Sequence, residues 1–237
     1  MTKSNLAIAD FHAHIIPRAD HGSSSTSESL AQLAFATEAG IDRIVATPHF
    51  YPESHSINDF LEARNSGYMH LIHRVQGSVP DIRLGAEVLV CNGIERLPGL
   101  EKLFIYGTNT LLLELPFADF QQEYCNSVYS LVRSGVEVLI AHADRYNPEN
   151  IERLIDSGAK IQLNVDSLCK VFKPRRLYDW MERELVVALG SDIHKSDKSA
   201  YKRFATAVNK IGTHADFIRQ ESDKMWNNAK AYVQCEQ

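Results

Sequence analysis

Seven apolar runs of strand length recur along the chain: LAIADFH, RIVATPH, IRLGAEV, TLLLELP, EVLIAHA, KIQLNV and LVVALGSDIH. They are rich in Ile, Leu and Val and mostly continuous rather than alternating, which suits strands covered on both faces of a parallel sheet. Between them the apolar positions take a helical period. Over residues 25–40, Ser25 and Glu28 have capping-box spacing, Leu30, Leu33, Ala34 and Ala39 keep one stripe, and Gly40 offers a stop. Residues 57–76, 119–134, 148–157, 174–184 and 198–211 read as further helices, and Asp216 to about Val233 as one more. Strand and helix alternate seven times, which predicts an α/β protein with a parallel sheet. A barrel of seven βα units fits the length, with a doubly wound open sheet as its competitor. No stretch reads as a linker, so residues 1–237 are taken as a single domain.

Composition narrows the class. The chain has 237 residues, 44% hydrophobic and 23% charged, enough for a sizeable core and against wholesale disorder. A formal net charge of −5 gives no support for a general nucleic-acid coat, so no nucleic-acid partner is expected. No run of about 18 apolar residues predicts a transmembrane helix. The N-terminal MTKSNLAIADFHAH reaches charge and histidine too early for a secretory signal. A soluble, cytoplasmic protein is the expectation. Its four scattered cysteines, Cys91, Cys125, Cys169 and Cys235, read as reduced thiols. Cys169 and Arg175 have the C-x5-R spacing of cysteine-dependent tyrosine phosphatases. The intervening KVFKP has no glycine, and Pro174 offers no N–H to a phosphate, so that spacing is read as chance.

Chemistry-bearing residues gather where the runs end. The first run leads into Asp10, His12 and His14, spaced to share one face of a strand. The second ends on His49, the third on Glu87, the fourth on Glu114, the fifth on His142 with Asp144, and the seventh on Asp192 with His194. The sixth, QLNVDS, lacks an evident ligand. In parallel α/β folds function collects at the C-terminal strand ends. In a closed barrel the first and last strands are neighbours, so the motifs at the two chain ends would meet. Carboxylates clustered this closely repel, and imidazoles are costly to bury unpaired; divalent cations resolve both problems. An all-nitrogen-and-oxygen ligand set suits Mn, Fe or Zn, and eight or nine candidates suggest two or three ions. Asp10 is a candidate for orienting a histidine rather than touching metal. His55, His70, His73 and His214 lack this placement.

The ordered motifs DFHAHIIP, ATPH, GAE, LELP, AHADRY and SDIH, spread from about residue 8 to 197, resemble those of the PHP (polymerase and histidinol phosphatase) superfamily. The loop after H-x-H, the ATPH motif and the AHADRY motif are most similar to the capsule-locus tyrosine phosphatases of bacteria. The resemblance implies a distorted seven-stranded (β/α)7 TIM-like barrel, the PHP fold, with up to three metal ions. By position, His12, His14, Glu87 and Asp192 would hold one ion and Glu87, Glu114 and His142 another. His49 and His194 would hold the third with His21, which stands where the phosphatase family usually has Asp. Arg145 matches a phosphate-gripping arginine; Lys195 or Lys198 would serve where a second family arginine has no clear match. The substrate implied is a phosphotyrosine-bearing protein, typically a membrane-associated bacterial tyrosine kinase of exopolysaccharide synthesis.

The expected reaction is direct phosphomonoester hydrolysis. Metal ions lower the pKa of water, and the resulting hydroxide attacks phosphorus in line, with Arg145 neutralising charge and His21 or Asp144 assisting as acid. The rivals are a PHP enzyme acting on a small ester such as histidinol phosphate, a metal-dependent nuclease or proofreading module, and a binding protein that keeps a structural metal site.

Overall fold

The computed structural model describes residues 8–117, 120–170 and 175–227. Its strands are β1 (Asp10–Ala13), β2 (Arg43–Ala46), β3 (His49–Phe50), β4 (Asp81–Leu84), β5 (Glu87–Leu89), β6 (Thr110–Glu114), β7 (Glu137–Ile140), β8 (Lys160–Asn164) and β9 (Val186–Gly190). They form one sheet in the order β3-β5-β6-β7-β8-β9-β1-β2-β4. Every pairing is parallel. The helices are α1 (Thr26–Ala39), α2 (Ile57–Ile72), α3 (Gln122–Arg133), α4 (Pro148–Asp156), α5 (Val165–Cys169), α6 (Arg175–Glu182), α7 (Lys198–Ile211) and α8 (His214–Asn227).

Nine strands therefore stand among the described residues where seven were expected. The reason is local. Two of the expected strands are each broken, RIVATPH at Thr47–Pro48 and IRLGAEV at Gly85–Ala86. Proline has no N–H for a ladder, and glycine packs no side chain. The breaks face each other, and the register runs through them: Ala46 pairs with Leu84, and His49 pairs with Glu87. Gly85 N donates to Ala46 O at 2.8 Å and Glu87 N to Pro48 O at 3.1 Å, so backbone pairing spans the gap.

Helix ends follow the sequence signals. Ser25 caps α1 by accepting from Glu28 N at 3.2 Å, and Gly40 ends it at φ 84°, a left-handed backbone that glycine adopts at little cost. The Glu28 carboxylate reaches one residue further back than a capping box requires, accepting from Ser24 N at 2.8 Å. The helix expected to continue to 76 stops at Ile72, and α5 was not foreseen. The expected stretches beyond Asn227, at residue 119 and at Pro174 lie outside the described residues.

Two apolar layers hold the fold. The larger packs Ile44, Leu111, Leu113 and Ile140 of the sheet against helical residues such as Leu33, Val128 and Leu154. A smaller cluster, including Phe11, Val45, Leu112, Leu139 and Val187, is joined by Met225 and Trp226 of α8. The guanidinium of Arg83 lies 4.3 Å from the Trp226 ring centroid. β1 lies beside β9, with Asp10 opposite Leu189 and Ala13 bridged to Ile193. The motifs at the two ends of the chain are thereby neighbours.

Candidate metal centre

The centre is built around Glu87. As the first residue of β5 it sits directly across from His49, the first residue of β3, and is fully buried. Its Oε1 lies 2.7 Å from His142 Nε2. Its Oε2 lies 3.1 Å from His12 Nε2, 3.3 Å from His14 Nε2 and 3.0 Å from His49 Nδ1. Glu114, at the end of β6, comes within 3.4 Å of His49 and 3.7 Å of His142. Asp192 Oδ1 lies 3.7 Å from His12 Nε2, 3.5 Å from His14 Nε2 and 3.4 Å from His194 Nδ1. Three triplets draw their ligand atoms within 4.8 Å of one another: His12, His14 and Glu87; His49, Glu87 and Glu114; His14, His49 and His194.

This arrangement fits divalent cations. Glu87 Oε2 and His49 Nδ1 are buried without a hydrogen-bond partner of good geometry and face each other at 3.0 Å. Orphaned polar atoms in an interior are costly, and here they converge in one small volume of nitrogen and oxygen donors. Burial alone would raise the Glu87 carboxyl's pKa, but His12, His14 and His142 reverse this and hold it well below its ordinary range. Burial likewise disfavours the charged form of His49, and Glu114 and Glu87 overcome it, lifting that imidazole to about 9. His194 is depressed to about 4 by burial and by His14. A group that exchanges these shared protons for a cation would satisfy the same charges.

Backbone strain marks the rim. His142 has φ 32° and Asp192 φ 52°, left-handed values that non-glycine residues seldom adopt. Both are tied down. His142 N donates to Gln162 Oε1 at 2.7 Å and Asp192 N to the His12 carbonyl at 2.8 Å.

Several expected residues take different places. His21 is exposed, and its ring stacks on those of His49 and His194 at centroid distances of 4.6 and 4.9 Å, outside the three triplets. Asp144, expected as an acid, is buried with both oxygens engaged, Oδ1 by Asn164 N at 2.8 Å and Oδ2 by Ser167 Oγ at 2.5 Å. Arg145 Nη2 donates to Asp192 Oδ2 at the edge of an open cleft of about 890 Å³. Lys195 lines that cleft, but Lys198 does not. Lys198 begins α7 beside α1, and its ammonium pairs with Glu38 at 2.6 Å. Asp10 accepts from Ser191 N and Oγ at 2.9 and 2.6 Å, joining β1 to the residue after β9. Cys169 Sγ faces the Arg203 carbonyl at 3.2 Å, and burial pushes its pKa up, the opposite of an activated nucleophile. The rest of the C-x5-R spacing crosses residues outside those described.

The sequence reading missed the supports. Asp20 Oδ2 lies 2.6 Å from His14 Nδ1 and accepts from His49 N at 2.9 Å, orienting two candidate ligands. Gln162 Nε2 donates to Asn164 Oδ1 at 3.0 Å, and Asn164 Nδ2 to Asp192 Oδ2 at 2.9 Å. The signal was present in KIQLN, where two amides two residues apart interrupt a buried strand. Lys170 and Arg203 also line the cleft.

Gly190 shows how tight the packing is. A Cβ there would stand 2.6 Å from both His12 Cβ and Gln162 Nε2. The amide end could swing aside, but His12 Cβ sits on β1 and cannot. Gly190→Ala is therefore expected to lower stability by about 1–3 kcal/mol, read as a lower urea midpoint with unchanged slope.

Residues 8–232 match the family described as capsular polysaccharide synthesis, CpsB/CapC. The tyrosine-protein phosphatase CpsB of Streptococcus pneumoniae is 27% identical over 211 residues, which cover 79% of this chain and 83% of that protein. The tyrosine-protein phosphatase YwqE of Bacillus subtilis strain 168 is 27% identical over 196 residues, covering 78% and 76%. In fold, the chain is similar to a crystal structure from work on YwqE and CpsB described as unique metal-dependent tyrosine phosphatases. The TM-score is 0.78 at 22% identity, covering 93% of this chain and 95% of that one. A β-aspartyl dipeptidase of Fervidobacterium islandicum AW-1 is similar at a TM-score of 0.53 and 10% identity, covering 92% and 74%. With nearly its whole length matched, the chain belongs to the capsular polysaccharide synthesis CpsB/CapC family.

Proposed function

We propose that this chain is a metal-dependent protein tyrosine phosphatase. The observation that carries the reading is the placement of Arg145: a guanidinium at the mouth of a cleft, on Asp192, itself within reach of the Glu87-centred cluster. The relatives' description as tyrosine phosphatases supports the same substrate class.

Two or three divalent ions, Mn, Fe or Zn, would be held here. His12, His14, Glu87 and Asp192 would hold one, Glu87, Glu114 and His142 a second, and His49 and His194 a third, with His21, whose ring lies beside both, turning in to join them. Bound ions of this kind supply an activated water at neutral pH and neutralise phosphate charge. The protein's own residues supply the rest. Arg145 presents a planar fork that matches two phosphate oxygens. Asp144 is a positioning residue: with its backbone carbonyl accepting from Arg176 Nη2 at 2.8 Å, it pins the turn Ala143–Arg145 that aims that fork. Asp20 keeps the His14 imidazole oriented at 2.6 Å, and Gln162 Oε1 that of His12 at 3.3 Å. Lys195 contributes charge along the cleft, and Lys198, engaged by Glu38, does not.

A tyrosine phenol has a pKa of about 10, so it leaves with less help from a proton donor than an alkyl alcohol needs. That suits a rim where Asp144 is already engaged. The partner would be a phosphotyrosine-bearing protein in the cytoplasm, such as a tyrosine kinase of exopolysaccharide synthesis. No helix among the described residues is long and apolar enough to cross a membrane.

The test compares a phosphotyrosine peptide with histidinol phosphate, on protein as purified, after chelation and after adding manganese. Peptide turnover should vanish with chelator and return with metal. Preference for histidinol phosphate would move the enzyme to the small-ester branch, and chelator-resistant peptide turnover would overturn the metal chemistry.

A further inference from the structure

We infer that Phe117 is a substrate-recognition residue, the surface on which the phenyl ring of phosphotyrosine stacks. This rests on the phosphatase reading above and adds the side chain that would make it selective for aryl phosphates.

Phe117 is 77% exposed, more than any other large hydrophobic side chain among the described residues. Met69, Tyr106 and Tyr129, also exposed, stand away from the cleft, whereas Phe117 lines it with Arg145, Asp192 and His194. It follows β6 by three residues, so the strand that delivers Glu114 to the centre also delivers this ring to the mouth. A bare aromatic ring in water beside the guanidinium-bearing cleft has an unused face, and a second ring gains by stacking there.

The ring is backed by a rigid support. Phe117 packs on Tyr146 at a centroid distance of 6.0 Å, and Tyr146 on the candidate ligand His142 at 5.4 Å. Tyr146 is pinned at its hydroxyl, which accepts from Leu115 N at 3.2 Å and donates to Leu115 O at 3.0 Å. Burial, with Glu114 nearby, raises its pKa and keeps that phenol protonated. The three rings make a stepped line from the centre to the rim. A phosphotyrosine whose phosphate meets Arg145 carries its phenyl ring outward, towards the Phe117 end of that line. Phosphoserine carries only a methylene over the same span and brings its backbone down against the rim.

The experiment uses metal-loaded full-length enzyme and its Phe117→Ala and Phe117→Tyr variants, with a phosphotyrosine peptide as substrate and inorganic phosphate as inhibitor. Phe117→Ala should raise the peptide KM roughly tenfold while kcat stays within about twofold. Phosphate inhibition and metal content should not change, because phosphate has no ring. Phe117→Tyr should restore the wild-type KM. An unchanged KM in Phe117→Ala would overturn the role of Phe117 alone. Weaker phosphate inhibition in parallel would mean that the side chain merely shapes the site, and would also overturn it. No peptide turnover by the wild type would overturn the phosphatase reading and this role with it.

Discussion

Glu87→Gln is expected to reduce phosphotyrosine turnover by on the order of 10³-fold or more, with fewer metal ions retained per chain. Both carboxylate oxygens face imidazoles, Oε1 that of His142 at 2.7 Å and Oε2 three others between 3.0 and 3.3 Å. A glutamine keeps the shape but offers one acceptor and one NH2 group. Whichever way it turns, the NH2 meets ring nitrogens on one side, and a full negative charge disappears from between four imidazoles. No neighbouring carboxylate can substitute, since Glu114 reaches His49 and His142, Asp192 reaches His12, His14 and His194, and the closest imidazole contact of each carboxylate is 3.4 Å. Metal analysis of the purified variant, alongside its kcat, checks the result. Full metal content with turnover within tenfold of wild type would mean that Glu87 is a buried counter-charge and not a metal ligand.

Much of this centre was legible in the chain, for a physical reason. A parallel strand buried on both faces is uniformly apolar, so a histidine or carboxylate where it ends is conspicuous. Eight of the nine candidate ligands lie in or beside such runs, and the structure draws those eight into one cluster, Glu87 at its centre. What supports them was harder to read. Gln162 and Asn164 are uncharged and sit inside a strand, where an amide passes for an ordinary polar interruption. Its meaning lies in partners such as His142 and Asp192, some twenty to thirty residues away. Asp20 shares its loop with His21 and was overshadowed by it. The strand count failed at Pro48 and Gly85, where a run that is continuous in composition loses its regular ladder. Lys198 is offered, beside Lys195, for a family arginine that follows the D-x-H motif and has no clear match here. The start of α7 turns it towards α1 instead, a tertiary fact that spacing does not carry.

The strained turns belong to the same account. His142 and Asp192 each leave a strand in a left-handed conformation, and each is held there by a contact from another strand or its end. The sheet's rigidity offsets the local cost, and the gain is two side chains aimed at the Glu87 and His12–His14 cluster. A loop of the same composition without those cross-strand anchors would relax and spread the cluster.

Arg145→Ala is expected to lower kcat/KM for a phosphotyrosine peptide by about 10²–10³-fold, with metal content unchanged. Arg145 is not a candidate ligand; its guanidinium reaches the cluster through Asp192 Oδ2, while Oδ1 of the same carboxylate faces His12 and His14. Asn164 Nδ2 also holds that Oδ2, at 2.9 Å, so Asp192 keeps its position when the arginine is removed. Metal binding and phosphate recognition are thereby expected to be separable at one carboxylate. Arg145→Lys sharpens the point, since lysine restores charge without the planar two-pronged donor. It should recover only a minor part of the loss if the fork grips two phosphate oxygens together. Wild-type kinetics in Arg145→Lys would show that charge alone suffices. A fall in metal content in Arg145→Ala would show instead that the guanidinium acts by fixing Asp192, and the assignment of phosphate binding would then pass to Lys195 across the same cleft.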